Sequence, residues 1–135
     1  MGRSRYRHRS AQTQTSKGGL PLPPDEEAAH KIISGMPRPT LIVHSGGGLY
    51  PIWQFERPVY LTDDNRAEAK AESENWQKII ESRAAEFRWH YDPTVGNLDR
   101  LLRLPGSINR KTTTDGTPLN RPCQVIEISG EVILW

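Results

Sequence analysis

The chain has 135 residues, 35% of them hydrophobic, with 18 Lys and Arg against 16 Asp and Glu and a single cysteine, Cys123. That length suits one small domain or part of a larger one, one cysteine excludes an internal disulfide framework and a multi-thiolate zinc site, and no apolar run approaches the roughly 18 residues of a membrane-crossing helix. The net charge of +2 is unevenly placed: residues 1–24 carry four Arg, one Lys and no acid, which leaves the remainder acidic.

Residues 1–19 show no apolar periodicity, no apolar signal-peptide core and a run of alternating Arg, and they predict a disordered basic tail. Leu-Pro-Leu-Pro-Pro at 20–24 is a stiff extended linker. A short helix follows from Asp25 to about Gly35, with Asp25, Glu26 and Glu27 in its first turn and Ala28, Ala29, Ile32, Ile33 and Met36 on its apolar face. Thr40–His44 is a β-branched run that reads as a buried strand. Ser45 and three glycines turn the chain, and Leu49–Phe55 resumes as a strand that Pro51 assigns to an edge or a bulge.

Asp63 or Asp64 is expected to cap a long helix reaching about Arg88, with Trp76, Ile79, Ile80, Ala84 and Phe87 on a face packed against a sheet. The stretch from Asp92 to Arg110 is dense in Pro, Gly and Asn, and 112–120 is a polar loop. Gln124–Ile128 reads as a strand, and Val132–Trp135 begins another. The four tryptophans, Trp53, Trp76, Trp89 and Trp135, are expected to be core anchors.

The chemistry-bearing residues cluster late in the chain. Arg100 and Arg103, three apart, fall on one side of a helical turn if the segment is helical, and there they can hold phosphates bidentately. Pro105-Gly106 then reverses the chain, and Asn109, Arg110 and Lys111 add donors. A basic surface turn after a short amphipathic helix has the same composition. Ser45 with Gly46, Gly47 and Gly48 allows backbone N–H groups to approach a phosphate or sugar, although any hairpin can use such glycines.

Two of these runs carry a family resemblance. Leu-Arg-Leu-Pro-Gly-Ser-Ile-Asn-Arg-Lys at 102–111 resembles the Arg-Leu-Pro-Gly-Thr-Leu-Asn-His-Lys signature of the bifunctional primase/polymerase domain of phages and plasmids, within the archaeo-eukaryotic primase superfamily. Pro39 to Trp53, in which a strand leads into Ser-Gly-Gly-Gly and then a second strand bearing an aromatic, resembles that family's second motif. The two occur in the family's order with a long helix between them, over about residues 20–129.

The resemblance implies an α/β (α+β) primase-type palm: an antiparallel-rich sheet, a glycine-turn hairpin and one long packed helix, with residues 20–135 as a domain whose first strands are missing. It implies template-directed nucleotidyl transfer, primer synthesis and extension, with Mg²⁺ or Mn²⁺ held by carboxylates. Asp92 maps onto the third metal-binding carboxylate, with Arg100 and Arg103 eight and eleven residues beyond it. Ser45, Gly46, Gly48, Tyr50, Arg100 and Arg103 map onto the nucleotide site, and Asn109, Arg110 and Lys111 onto nucleic-acid contacts. Tyr50 stands where the family has a histidine, so it can donate a hydrogen bond but carries no positive charge.

The family's first motif, paired acids on an apolar strand, has no counterpart here. Asp25 and Glu27 have the spacing but follow a proline-rich linker and suit a helical first turn. The expected partners are a single-stranded DNA template, nucleoside triphosphates and a replicative helicase on another chain, for there is no Walker A sequence and no membrane segment. The expected compartment is the cytoplasm. A non-catalytic nucleotide- or nucleic-acid-binding remnant is the alternative.

Overall fold

A computed structural model describes residues 20–21, 23–91, 98–112, 115–118 and 120–134. The expectations for the basic tail at 1–19, for Asp92 and for Trp135 fall outside them. The chain divides into two compact units. A helical unit takes the chain up to Met36 together with Tyr60–Arg100, and a β unit takes Pro37–Val59 with Leu101–Trp135.

In the helical unit, α1 spans Glu26–Ile33. Its start follows from its acids: the Asp25 carboxylate accepts a hydrogen bond from the Ala28 N–H at 2.8 Å and so caps the helix. Glu26 faces His30 at 3.8 Å and Glu27 faces Lys31 at 3.4 Å, each one helical turn on. Ala28, Ile32 and Ile33 are the buried stripe.

The long helix α2 spans Arg66–Glu86. It begins later than the sequence suggests, at Asn65 instead of Asp63 or Asp64. Asn65 Oδ1 accepts from the Thr62 N–H at 2.7 Å, and its Nδ2 donates to the Tyr60 carbonyl at 3.0 Å. Its side chain thus holds a turn that precedes the helix, and the two aspartates lie exposed within that turn.

The packed stripe of α2 is narrower than its hydrophobic pattern implies. Ala69, Ile80 and Ala84 are buried, whereas Ile79 and Phe87 are 48% and 40% exposed. Within its unit the helix packs on α1. The Arg83 guanidinium donates through Nε to the Ile32 carbonyl and through Nη2 to that of Lys31 at 3.5 Å. It thereby covers the C-terminal carbonyls of α1, where the helix dipole favours a cation. Arg83→Ala is expected to cost the helical unit about 1–2 kcal/mol, read as a lower urea midpoint. An unchanged midpoint would show that these bonds do not hold α1 to α2.

The end of α2 is a Schellman motif. Arg88 takes φ 58°, its N–H donates to Ala85 O at 2.9 Å, and the Trp89 N–H donates to Ala84 O at 3.0 Å. The Phe87 and Trp89 rings stack at 5.1 Å. Tyr91 Oη then donates to Gln77 Oε1, which fixes the chain one residue before Asp92.

The β unit is built on a three-stranded antiparallel sheet in the order β2-β1-β6: β1 is Leu41–His44, β2 is Leu49–Ile52 and β6 is Gln124–Ile128. The apolar β-branched run becomes the central strand, with Ile42 and Val43 at 1% and 4% exposure. Pro51 sits on the edge strand opposite Ile42, where its missing N–H is tolerated. A register shift between Ile42 and Val43 leaves Ile126 as the extra residue of β6.

The expected strand Leu49–Phe55 is broken at Trp53, whose Nε1 donates to the Pro37 carbonyl at 2.6 Å. Beyond the break, β3 (Gln54–Phe55) pairs in parallel with β7 (Val132–Ile133). Thr40 ties these pieces together: its hydroxyl donates to Glu131 O at 2.5 Å and accepts from the Gln54 N–H at 2.9 Å. A third sheet, the pair of β4 (Ile108–Asn109) with β5 (Arg121–Pro122), is antiparallel and is not legible as strands in the sequence. The described residues thus form an α+β arrangement of two helices and small, mostly antiparallel sheets. None of these helices is long and apolar enough to cross a membrane.

Candidate nucleic-acid and nucleotide interface

The glycine turn between β1 and β2 is closed by its own side chain. Ser45 Oγ accepts from the N–H groups of Gly47 at 3.2 Å and Gly48 at 3.1 Å, and Oγ–H donates to Gly48 O at 3.1 Å. The Ser45 N–H reaches the same carbonyl at 2.9 Å. The Gly46 N–H donates to His44 Nδ1 at 3.0 Å, which puts the imidazole proton on Nε2. The backbone donors at 45–48 are therefore committed inside the loop. Read from sequence, glycines here present N–H groups to a phosphate; in this conformation they let the turn close on Ser45.

The loop is seated on the β4–β5 pair. Asn109, 3% exposed, donates through Nδ2 to the Ser45 carbonyl at 3.0 Å, and its Oδ1 accepts from the Lys111 N–H at 3.0 Å. Arg121 Nη1 lies 3.5 Å from the Gly46 carbonyl. Gly46 has φ +83°, and a Cβ placed on it would lie 2.9 Å from both Asn109 Cβ and Arg121 Cβ. Only glycine allows that approach. The Ser-Gly-Gly-Gly run and the Leu-Pro-Gly-Ser-Ile-Asn-Arg-Lys run, about sixty residues apart, thus form one joint.

The resemblance assigns Asn109 to nucleic-acid contact, and the structure gives it a positioning task inside this joint. Its neighbours Arg110 and Lys111 are exposed. Arg121, which sequence reading passes over, is half-buried beside the loop; the only signal for it is a basic residue before Pro122.

The segment at 104–107 docks on Cys123, the residue between β5 and β6. The Gly106 N–H donates to Cys123 O, and the Cys123 N–H to Ser107 O, both at 2.8 Å. Cys123 itself is buried, with its Sγ 3.5 Å from the Arg103 carbonyl. This arrangement carries residues 102–105 over one face of the three-stranded sheet and leaves a groove of about 290 Å³. Its floor is Leu41, Val43, Tyr50, Ile52 and Val125, and its wall is Leu102, Arg103, Leu104 and Pro105. Tyr50, 39% exposed, and Arg103, also exposed, share this groove.

The helical turn expected over Arg100–Arg103 does not form; residues 100–104 have no regular structure. Leu104 precedes Pro105, which disfavours helical dihedrals there. Arg100 and Arg103 are consequently not paired by helical spacing, and they belong to different units, Arg100 to the helical and Arg103 to the β unit. Both are exposed.

Asp92, the expected carboxylate for Mg²⁺ or Mn²⁺, lies outside the described residues. Among the described residues no three His, Cys, Asp or Glu side chains come together as a metal site. The acids Asp25 and Glu27 are engaged as the α1 cap and in the pair with Lys31. No protein-family model, curated protein or solved structure matches the chain.

Proposed function

We propose that the β unit is a nucleotide- and single-stranded-DNA-binding module of primase/polymerase type, engaging DNA through the exposed cations Arg103, Arg110 and Lys111. One observation carries this reading: the Asn109–Ser45 hydrogen bond with Gly46 packed on Asn109 and Arg121, which unites the two runs that resemble the family. In that reading the joint fixes β1–β2 against β4–β5, so that Tyr50 and the exposed cations hold fixed positions. Arg103 supplies the bidentate phosphate donor and Tyr50 a neutral one. Arg110 and Lys111 supply backbone attraction without sequence preference.

Within this lineage the chemistry is template-directed transfer of a nucleotidyl group, with Asp92 as a metal ligand. The second reading, a binding module without catalysis, is favoured by one observation: Asp25, the acid nearest in spacing to the missing paired motif, is spent on a helix cap. We therefore expect weak or absent primer extension by this chain alone. Extension assays with Mn²⁺ or Mg²⁺, a primed template and nucleoside triphosphates separate the two. Extension that Asp92→Ala abolishes supports the catalytic reading. Absent extension, together with DNA binding that EDTA leaves unchanged, supports the binding module. Extension that survives Asp92→Ala contradicts the placing of the metal ligand.

A further inference from the structure

We propose that Asp115–Gly116 is a site of spontaneous isoaspartate formation, and so a substrate for a methyltransferase that recognises isoaspartyl residues. It is the one Asp-Gly pair in the sequence, and there is no Asn-Gly pair. It lies at the tip of the hairpin formed by β4 and β5, beyond the bridge between Thr112 and Pro118. Both residues are exposed.

Three features favour the reaction. Gly116 has no side chain to shield its amide nitrogen, and nothing lies within 4 Å of where a Cβ would stand. Its φ of +85° is a conformation that glycine adopts without strain. The Thr117 N–H donates to Asp115 Oδ1 at 3.0 Å, which folds the carboxyl group back along the peptide that must attack it.

The step balances without a co-reactant. The Gly116 nitrogen forms a bond to Asp115 Cγ and loses its proton, and one carboxyl oxygen leaves as water, giving a succinimide. Water then adds to one of the two ring carbonyls. Cleavage of the Cγ–N bond restores aspartate. Cleavage of the bond between the Asp115 main-chain carbonyl carbon and the nitrogen routes the backbone through Cγ. The mass is unchanged, and one methylene is inserted into the chain between β4 and β5, the pair that seats Gly46.

The full-length protein is incubated near neutral pH at physiological temperature. It is then offered to an isoaspartyl methyltransferase with labelled S-adenosylmethionine, and tryptic peptides are mapped. The expected result is label accumulating with time in the peptide that begins at Thr112, with no mass change before methylation, and its loss in Asp115→Glu, whose longer side chain cyclises poorly. Equal label in Asp115→Glu overturns the proposal, as does label confined to other peptides or none after prolonged incubation.

Discussion

Replacing Gly46 with alanine is expected to destabilise the β unit by about 2–4 kcal/mol. Two costs add. The residue holds φ +83°, where an L side chain crowds its own backbone. The new methyl would also stand 2.9 Å from Asn109 Cβ and Arg121 Cβ and 3.0 Å from the Arg121 carbonyl, backbone-anchored atoms that do not swing aside. For a small domain, with stability of roughly 5 kcal/mol, such a loss populates the unfolded state measurably. Gly48→Ala is the internal control, because nothing lies within 4 Å of the position its methyl would occupy. Urea melts of the two variants should differ sharply in midpoint, with Gly48→Ala close to the parent. Equal midpoints would mean that the turn does not press on β4 and β5.

Asn109→Asp should be nearly as damaging, at about 2–4 kcal/mol, although it changes no volume. The side chain is 3% exposed and uses both ends: Nδ2 on the Ser45 carbonyl and Oδ1 on the Lys111 N–H. Aspartate keeps the second bond and loses the first. It sets a carboxylate oxygen against a carbonyl oxygen, both acceptors, with little water to separate them. Asn109→Ala removes both bonds without that repulsion and is expected to cost less. A melting temperature that falls from the parent to Asn109→Ala and again to Asn109→Asp is the signature of a donor aimed at Ser45. If the Asn109→Asp variant melts with the parent, the residue faces solvent and its nucleic-acid assignment by resemblance regains its basis.

How much of this is legible in the sequence depends on the length and regularity of each element. The run Thr-Leu-Ile-Val-His before Ser45 announces β1, because four apolar or β-branched residues bounded by a glycine turn suit a central strand. Pro51 announces the edge. Asp25, Glu26 and Glu27 announce the start of α1, because acids after a proline-rich linker have a helix N-terminus to serve, and the structure makes Asp25 the cap itself. The start of α2 differs by one or two residues from the sequence expectation because Thr62, Asp63, Asp64 and Asn65 are all capping types, and the hydrogen bonds alone select among them.

β4 and β5 are hidden because strands of two residues, Ile-Asn and Arg-Pro, have no alternation to read. Asn109 reads as a donor to nucleic acid because it precedes Arg110 and Lys111. Only the packing of the glycine turn against it reveals its other role. The helical turn over Arg100–Arg103 follows from the three-residue spacing of the arginines, and the proline after Leu104 argues against it.

Whether the exposed cations beside this joint bind single-stranded DNA can be read from the fluorescence anisotropy of a labelled oligonucleotide across a salt series. The parent chain is compared with the triple variant Arg103→Gln, Arg110→Gln, Lys111→Gln. Three lost phosphate contacts should reduce the slope of log affinity against log salt by about 2, with the melting temperature unchanged. Parent-like affinity and slope in the triple variant, or no salt-dependent binding by the parent, would contradict the account.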